Sequence, residues 1–441
     1  MRLPRTTVLR PRWVGPIVTA CSLAPLIDRS AIGRELSVVR VSIPNSRCST
    51  LVQDVRPHLL RLRGVQPVRP CSLDPSRRRE VLLSNKLDME ALPPELERAV
   101  SQAEGLLGTC TVRLSYDDMS MREVLRELLP NGVVVPSAYE SVGHVVHVNL
   151  HSEQLPHRFV IGQVLLDKMR PRVRTVVNKA AEIHTQFRSI PLELIAGEAD
   201  YNVSVQHGDA RLRFDYSKVY WSSRLHTEHK RMADRFIAGQ LVWDVFAGVG
   251  PFTVLAAQRG VHVLANDLNP DACTALLANV RLNHVARRAH VYNLDAAAFI
   301  AAACSSVEGH RATLAAARLT DQCAPLEEVA AIQGLATTVE AKLPDHIILN
   351  LPADAIHFLP CLRPLCKIAS AAGHVTTVHC YSFSKLAGKD DQMHEALERV
   401  SDGLGHLPKG LTVRHVRSVA PGKEMLCYQF PIGMAEPAHN E

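Results

Sequence analysis

The sequence predicts an α/β protein whose C-terminal half forms a mostly parallel sheet covered by helices. Strand-like and helical segments alternate from Leu241 onward, and this alternation is typical of parallel sheets. Polar or glycine residues follow the apolar runs of several predicted strands. The 441 residues are enough for several domains, and 46% of them are hydrophobic. No apolar run reaches the ~18 residues that a bilayer crossing needs, which predicts a soluble protein.

The N-terminal segment, residues 1–35, is basic. It contains Arg2, Arg5, Arg10 and Arg12, and the first acidic residue is Asp28. An Arg-rich start without acidic residues is typical of a mitochondrial transit peptide, although a basic tail gives the same composition. The whole chain carries a formal charge of +6, which is compatible with a polyanionic partner. The eleven cysteines include no C-x-x-C pair, which indicates a reducing compartment and no metal site.

Two small α/β units are expected ahead of the parallel sheet. In the first, residues 36–88, "LSVVRVSI" predicts a strand, "TLVQDVRPHLLRLRG" a helix that ends at Gly64, and "REVLLSN" a returning strand. In the second, residues 89–205, "TCTVRLSY", "VGHVVHVNL" and "LELIAGE" predict strands. "MSMREVLRELLP" and "RFVIGQVLLDKM" have the spacing of amphipathic helices.

The third predicted domain spans residues 206–437. A hairpin with its turn at His207-Gly208-Asp209 leads into it. Six strands are then expected, in "LVWDVFA", "VHVLAND", "AHVYNLD", "HIILNLP", "HVTTVHCYSF" and "HVRSVAP". The Ala-rich stretch of residues 301–343 is too long for a simple connection and is predicted to be an insertion.

The loop after the first of these strands has the pattern D-x-F-x-G-x-G. It places Asp244, Phe246, Gly248 and Gly250 between a strand and a helix. Glycines allow a ligand to approach the backbone, and a helix N-terminus favours negative groups. The third glycine of a dinucleotide fingerprint is absent, because Thr253 takes its position. The pattern resembles the S-adenosylmethionine site of class I methyltransferases.

Carboxylates follow the next two strands. Asp267 lies 19 residues beyond Gly248, where an acidic residue can accept hydrogen bonds from ribose hydroxyls. Asp295 ends the third strand and is expected to accept from an adenine amino group, with Leu268 and Ala296 beside the two carboxylates in the cofactor cleft. Each aspartate could instead serve as a helix N-cap.

Asn350 ends the fourth strand, and Pro352 follows it closely. A strand-ending turn would explain both residues. An amide with one acceptor and two donors would also suit the edge of a nucleobase or a cofactor. The N/D-P-P-Y/F motif of amino-directed base methyltransferases reads Asn350-Leu351-Pro352-Ala353 here and lacks its aromatic residue, which argues against a methylase of exocyclic amines.

Several motifs in order closely resemble the archaeal and eukaryotic tRNA (guanine-37 N1)-methyltransferase family. They are "DYSKVYWSSRLHTEHKRM", "DVFAGVGPF", "ANDLNP", "NLPA" and "HCYSFSK", with "VGHVVHVNL" and "IGQVLLDK" in the middle region. The resemblance covers roughly residues 36–431. It implies a Rossmann-like class I methyltransferase domain preceded by two RNA-binding domains, the first of which would bind the tRNA elbow.

The resemblance also implies a reaction and residue roles. S-adenosyl-L-methionine would methylate N1 of guanosine 37, which carries a proton that a base must remove. Glu228 is the expected base, Arg188 would stabilise charge on O6, and Asn350 would orient the guanine. His229 matches a cofactor-contacting position, while Tyr220, Arg224 and Pro352 would contact the substrate. A plain salt bridge with Arg224 is the alternative role for Glu228, and a core aromatic is the alternative for Tyr220.

Three rival functions remain open at this stage. An aminocarboxypropyl transferase of wyosine synthesis would use the same donor on the same scaffold. A tRNA-binding protein with a degenerate active site is the second, and a nicotinamide oxidoreductase, which the glycine pattern disfavours, is the third. The expected partner is tRNA with guanosine at position 37, bound by a monomer away from membranes. The expected location is the mitochondrial matrix, the cytoplasm and nucleus, or both.

Overall fold

The computed structural model describes residues 27–179, 191–310, 312–320, 333 and 336–433. The chain divides into two compact units. Unit 1 comprises Met1–Glu140, Val146–Asn178 and Glu193–Ala199, and unit 2 comprises Ser141–Val145, Lys179–Leu192 and Asp200–Glu441. The α/β fold class is confirmed. Within the described ranges, no helix is both long and apolar enough to span a membrane.

The first sheet of unit 1 is antiparallel and has the strand order β2-β3-β1-β4. Its strands and the two helices of this region are β1 (Gly33–Pro44), α1 (Cys48–Asp54), β2 (Val68–Pro70), β3 (Arg78–Leu82), α2 (Pro94–Gln102) and β4 (Leu106–Ser115). Val41, Ile43, Leu51 and Leu96 are buried together in one core, because the alternating apolar side chains of β1 face both helices.

Two sequence expectations fail in this region. The helix predicted to end at Gly64 stops at Asp54, because Pro57 has no N–H to donate to the Gln53 carbonyl and cannot continue the helix. The chain then extends, and Leu60 N–H donates to the Leu82 carbonyl at 2.9 Å. The strand in "TCTVRLSY", which the sequence analysis grouped with the second domain, pairs with β1 along its length. The domain limits themselves stay a prediction.

A second four-stranded sheet has the order β5-β6-β7-β8. Its strands and the helices of this stretch are α3 (Met121–Leu128), β5 (Tyr139–Val142), β6 (Val145–Val148), α4 (Arg158–Met169), β7 (Thr175–Lys179) and β8 (Leu192–Gly197). A capping box starts α3, since Ser120 Oγ accepts from the Glu123 N–H and the Glu123 carboxylate accepts from the Ser120 N–H. Val146, Val164 and Ile195 belong to the core of unit 1.

The longest segment of unit 2, which starts at Asp200, begins with the predicted hairpin, β9 (Asn202–His207) and β10 (Ala210–Asp215). The register pairs His207 with Ala210, so Gly208 and Asp209 form the turn. Gly208 has a φ of +61°, which a glycine adopts without strain. The short helix α5 (His226–Ala233) follows.

The main sheet of unit 2 has eight strands in the order β14-β13-β12-β11-β15-β16-β18-β17. The consecutive strands β13, β12, β11, β15 and β16 of this order are each parallel to their neighbours in the run. The strands are β11 (Leu241–Asp244), β12 (His262–Asn266), β13 (Ala289–Tyr292), β14 (Arg318–Leu319), β15 (His346–Leu349), β16 (Thr376–Ser384), β17 (Thr412–Ala420) and β18 (Lys423–Ile432). Their helices are α6 (Pro251–Gln258), α7 (Pro270–Leu282), α8 (Ala296–Val307), α9 (Ala312–Ala317), α10 (Arg363–Ala371) and α11 (Lys389–Leu404).

The sheet differs from the sequence expectation at its two edges. The final strand β18, which was not expected, lies antiparallel between β16 and β17. At the other edge, the predicted insertion of residues 301–343 contributes the end of α8, all of α9 and the edge strand β14. A buried ion pair of Arg318 with Glu340, at 2.7 Å, and a hydrogen bond from the Tyr292 hydroxyl to Glu340 fasten it to β13.

Candidate active site

The loops that follow β11, β12, β13 and β15 meet at the carboxyl end of the parallel strands. Ligands of open α/β sheets bind at this edge. The strand order brings the β11 and β15 loops together, with the β12 and β13 loops next to them. The residues predicted from the strand ends, Asp244, Asp267, Asp295 and Asn350, therefore lie along one edge, as parallel strands require.

The glycine loop has the backbone that its sequence predicts. Gly248 and Gly250 have φ values of +55° and +93°, in the left-handed region that side chains disfavour. Gly250 is the N-cap of α6, and Pro251 is its first residue. A Cβ added to Gly250 would lie 2.4 Å from Leu276 Cδ1, so this glycine serves packing. A Cβ added to Gly248 would meet no heavy atom within 4 Å, so this glycine faces open space.

Asp267 fixes the glycine loop and is no helix cap. Its carboxylate accepts from the Gly248 N–H at 2.8 Å and from the Asn269 N–H at 2.9 Å. The N-cap of α7 is Asn269, whose side chain accepts from the Asp271 N–H. Burial raises the pKa of Asp267, although these backbone hydrogen bonds act in the opposite direction. The carboxylate predicted to bind ribose thus also holds the loop in position.

Asp244 is fully buried at the end of β11. One carboxylate oxygen accepts from the Thr253 hydroxyl at 2.7 Å. The other, Oδ1, is buried with no hydrogen-bond partner among the described residues. Burial, together with the charge of Asp267, raises the pKa of Asp244 to about 7. Thr253, which takes the third glycine position, therefore supports the carboxylate of the motif.

Asp295 has the alternative role that the sequence allowed. It is the N-cap of α8, and its Oδ1 accepts from the Ala297 and Ala298 N–H groups at 2.9 and 3.3 Å. The side chain is exposed, and Ala296, next to it, is buried as the first residue of α8. A capping carboxylate can still accept from a ligand, so the adenine contact stays a prediction.

Apolar groups flank the strand ends. The ring of Phe246 is partly buried and packs edge-to-face on Phe358, with ring centroids 5.2 Å apart. Leu268 is 39% exposed beside Asp267. An exposed apolar side chain beside Asp267 is compatible with the predicted cofactor contact of Leu268, which stays a prediction.

Asn350 combines a turn with an unpaired amide oxygen. The Leu351 carbonyl accepts from the Asp354 and Ala355 N–H groups, and the Pro352 carbonyl accepts from the Phe383 N–H at 3.0 Å. The chain therefore turns as Asn and Pro predict. Asn350 Oδ1 is nevertheless buried with no hydrogen-bond partner among the described residues. Such an atom costs free energy unless a ligand donates to it, which favours a binding role.

Sequence reasoning missed Asn266, the last residue of β12. Its buried amide donates to the carbonyls of Val245 and Leu294 at 3.3 and 3.0 Å, and its Oδ1 accepts from the Leu294 N–H. The Ala247 N–H donates to its backbone carbonyl. One residue thus connects the loops after β11 and β13. Its place in "ANDLNP", beside Asp267, was the available signal.

His229 is buried in α5 rather than open to a cleft. Its Nδ1 lies 2.9 Å from His207 Nε2, and its ring packs edge-to-face on Phe252. Its Nε2 is buried with no hydrogen-bond partner among the described residues. Burial lowers the pKa of His229 and lowers that of His207 to about 4, so both rings are neutral at pH 7. The unpaired Nε2 is the atom left for the predicted cofactor contact.

Glu228 is the third residue of α5 and is 3% exposed. Arg231 donates to both of its oxygens, at 2.8 and 2.5 Å. Arg414 donates to Oε2 at 2.7 Å, and the Tyr381 hydroxyl donates to Oε1 at 2.8 Å. Among the described residues, Glu228 therefore forms salt bridges with Arg231 and Arg414 instead of the Arg224 that spacing suggested.

Tyr381 connects Glu228 to the strand-end loops. In the parallel pairing of β15 with β16, Leu349 is opposite Cys380, so Asn350 and Tyr381 both come next in register. The Glu228 carboxylate, bonded to the Tyr381 hydroxyl, is thereby held near the edge where Asn350 lies. Arg231, Tyr381 and Arg414 were missed as site residues. Two of them had a signal, because Tyr381 lies in the motif "HCYSFSK" and Arg231 in "DYSKVYWSSRLHTEHKRM".

The remaining predicted residues lie as follows. Tyr220 is 48% exposed, which excludes the core alternative, and Arg224 is exposed. The neighbouring Trp221 is the core aromatic and packs on Phe214 and His207. Arg188 lies outside the described residues, so its role stays a prediction.

Known proteins are similar in sequence to this chain over most of its length. A model of the TRM5/TYW2 methyltransferase domain matches residues 203–312, and a model of the TYW2 N-terminal domain matches residues 121–200. A tRNA (guanine(37)-N(1))-methyltransferase of Phytophthora infestans is 35% identical over 418 residues, covering 92% of each chain. The chain belongs to the tRNA (guanine(37)-N(1))-methyltransferase family.

Further similarities agree with this membership. The enzyme of the same name from Mus musculus is 34% identical, covering 94% of this chain and 78% of its own. A solved complex of aTrm5 and tRNALeu has the same fold, with a TM-score of 0.58 and 19% identity over 89% of this chain and 99% of its own. The chain is a class I methyltransferase, and S-adenosyl-L-methionine is its methyl donor. The unpaired Asp244 and Asn350 oxygens and the open space at Gly248 fit such a ligand.

The two glycines predict separable effects. Gly248→Ala and Gly250→Ala both force a left-handed alanine, which costs about 1–2 kcal/mol. We expect Gly250→Ala to lose additional stability through the contact with Leu276, while Gly248→Ala additionally weakens S-adenosyl-L-methionine binding, because its methyl group occupies ligand space. Urea unfolding without ligand and calorimetric titration with the donor measure the two effects. Wild-type affinity in Gly248→Ala would remove this loop from the cofactor site.

Asp244 predicts a pH dependence of stability. Its folded pKa of about 7 lies above the unfolded value of ~3.9, so the folded state retains a proton that the unfolded chain releases. This stabilisation is complete below the unfolded pKa and is lost as the pH rises through 7. Between pH 5 and pH 8 we expect wild type to lose about 2–3 kcal/mol of unfolding free energy that Asp244→Asn keeps. Chemical denaturation at both pH values measures this, with the exposed Asp390→Asn as the control; equal losses in all three proteins would contradict it.

Proposed function

We propose that this chain transfers the methyl group of S-adenosyl-L-methionine to N1 of guanosine 37 in tRNA, next to the anticodon. The observation that carries the proposal is the position of Glu228. A buried carboxylate is held through Tyr381 beside the strand-end edge where Asn350 and the glycine loop lie. Family membership supplies the substrate expectation.

The chemistry at N1 requires a base. Guanine N1 carries a proton at neutral pH, and its electron pair is unavailable until that proton leaves. S-adenosyl-L-methionine supplies an electrophilic methyl group, and the electron pair of the broken methyl–sulfur bond stays on sulfur. Glu228 accepts the N1 proton as the electrons of the N–H bond become the new N–C bond. The Tyr381 and Arg231 hydrogen bonds fix the orientation of the carboxylate.

The remaining residues orient the base and balance charge. Asn350 Oδ1, buried and unpaired, can accept from the N–H or amino group of the guanine edge. Tyr220 and Arg224 are both exposed, and in the proposed mechanism they contact the target nucleotide, which is extruded from the anticodon loop. Arg188 would stabilise the negative charge that develops on O6, because a guanidinium is permanently charged.

We also propose the partner and its binding mode. A single copy of the chain binds tRNA with guanosine at position 37, and the N-terminal region contacts the tRNA elbow. The relatives' name supports guanosine 37, and the complex of aTrm5 with tRNALeu supports tRNA as the partner class. Extrusion of a loop nucleotide costs a few kcal/mol of unstacking, less than extrusion from a duplex.

The decisive assay uses two tRNA transcripts, one with G37 and one with A37. We expect label from the methyl group of the donor to enter only the G37 transcript, as N1-methylguanosine, and label from the donor's carboxyl carbon to enter neither. Transfer of the carboxyl label would identify the aminocarboxypropyl reaction instead. Binding of tRNA and donor without any transfer would identify a degenerate enzyme.

In the same assay, Glu228→Gln should slow transfer by at least about 10²-fold and keep donor affinity, with the exposed Glu398→Gln as the control. Near-normal turnover of Glu228→Gln would remove Glu228 from the role of base.

For location, we propose that at least part of the protein enters the mitochondrial matrix, with the remainder in the cytoplasm and nucleus. The support is the Arg-rich, acid-free composition before Asp28. Residues 1–35 fused to a fluorescent protein should direct it to mitochondria. Replacement of Arg2, Arg5, Arg10 and Arg12 with glutamine should abolish that targeting. A diffuse signal from the unmodified fusion would rule the proposal out.

A further inference from the structure

The carboxylate of Glu228 is saturated with hydrogen bonds. Arg231 Nη2 and the Tyr381 hydroxyl donate to Oε1, and Arg231 Nε and Arg414 Nη1 donate to Oε2. A carboxylate offers about four lone-pair sites for hydrogen bonds, and described residues alone fill them. A saturated carboxylate has no site left for the proton of guanine N1. If Glu228 is the base of the proposed function, on which this inference rests, one donor must leave when substrate binds.

The three donor residues are held with different firmness. Arg231 is on the same helix and makes two bonds to the carboxylate, so its release would break both. Tyr381 is fully buried in β16, a central strand between β15 and β18, and it is paired with Cys427 of β18. Burial and the neighbouring Cys427 and Glu228 raise the pKa of its hydroxyl, so it remains a donor.

Arg414 is the donor that can leave most easily. Its side chain is 43% exposed, and it holds Glu228 through one hydrogen bond, from Nη1 to Oε2. It lies on β17, the edge strand of the sheet, whose pairing with β18 shifts register between His415 and Arg417. An exposed guanidinium on an irregular edge strand can turn toward solvent without breaking the core.

We propose that Arg414 is a positioning residue that covers Glu228 Oε2 in the free enzyme and exchanges this carboxylate for a phosphate of the bound tRNA. The guanidinium fork suits a phosphate as well as it suits a carboxylate. The exchange leaves Oε2 as the oxygen that receives the N1 proton. It also couples the base to its substrate, because the carboxylate is uncovered only where a phosphate is present to hold Arg414.

The exchange makes Arg414 a residue for RNA binding rather than for the chemical step. In Arg414→Met, the dissociation constant for a G37 transcript without donor should rise roughly tenfold, since a hydrogen bond to a charged group is lost. The slope of log K against log salt should fall by about 0.7, the value for one contact to single-stranded phosphate. The single-turnover transfer rate at saturating tRNA should stay within about twofold of wild type, because Oε2 is uncovered in both proteins once tRNA is bound.

Two further variants complete the test. Arg414→Lys keeps a positive charge and should restore most of the salt slope. Arg417→Met removes the same charge from the same strand, but Arg417 donates to the Ser418 carbonyl and not to Glu228. This control should leave the dissociation constant and the slope near wild type. Circular dichroism and thermal unfolding confirm that each variant is folded.

Two results would overturn the exchange. In the first, Arg414→Met binds tRNA with unchanged affinity and slope but transfers at least about tenfold more slowly at saturation, which is the behaviour of a permanent structural partner of Glu228. In the second, Arg417→Met changes affinity and slope as much as Arg414→Met does. Failure of the proposed function is distinguishable from both, because the wild-type protein would then transfer no methyl group to the G37 transcript.

Discussion

The buried amide of Asn266 is the interaction on which the candidate site depends most directly. It bonds to the loop after β11 through the Val245 carbonyl and to the loop after β13 through both backbone groups of Leu294. A buried amide must satisfy its hydrogen bonds, and here it does so only when the loops are in their observed positions. Asp267, the next residue, accepts a hydrogen bond from the Gly248 N–H and so fixes the glycine loop of the cofactor cleft. Strand pairing alone would leave these loops free to vary.

Electrostatics divides the site into two parts. At the cofactor edge, burial raises the pKa values of Asp244 and Asp267, and Asp244 Oδ1 and Asn350 Oδ1 have no hydrogen-bond partner among the described residues. These groups are under-satisfied in the way expected of ligand contacts. At the other end, Glu228 has a donor for each of its acceptor positions and forms salt bridges with two arginines. The proposed base is covered by its donors, and two oxygens at the cofactor edge have no donor among the described residues. Both features are expected of a site that substrate binding completes.

A pair of neutral histidines lies where α5 packs on α6. His229 of α5 is hydrogen-bonded to His207 at the end of β9, and burial lowers both of their pKa values. Because neither ring is charged at pH 7, neither competes with Arg231 and Arg414 for the carboxylate of Glu228. The packing of His229 against Phe252 connects α5 to α6, the helix that begins at the glycine loop. The base and the cofactor loop are therefore parts of one packed layer.

The sequence by itself determined the strand ends and the glycine loop, because apolar runs and left-handed glycines are local signals. Asp244, Gly248, Asp267 and Asn350 were all found in this way. Tertiary structure decided the partners of each side chain. Spacing paired Glu228 with Arg224, whereas folding brings it Arg414 from a strand 186 residues away, and no local pattern carries that information. The same holds for the helix that stops before Pro57 and for the strand β18 inserted between β16 and β17. Contacts between distant segments depend on how the sheet is assembled, and only the assembled sheet shows which carboxylate is held, and by what.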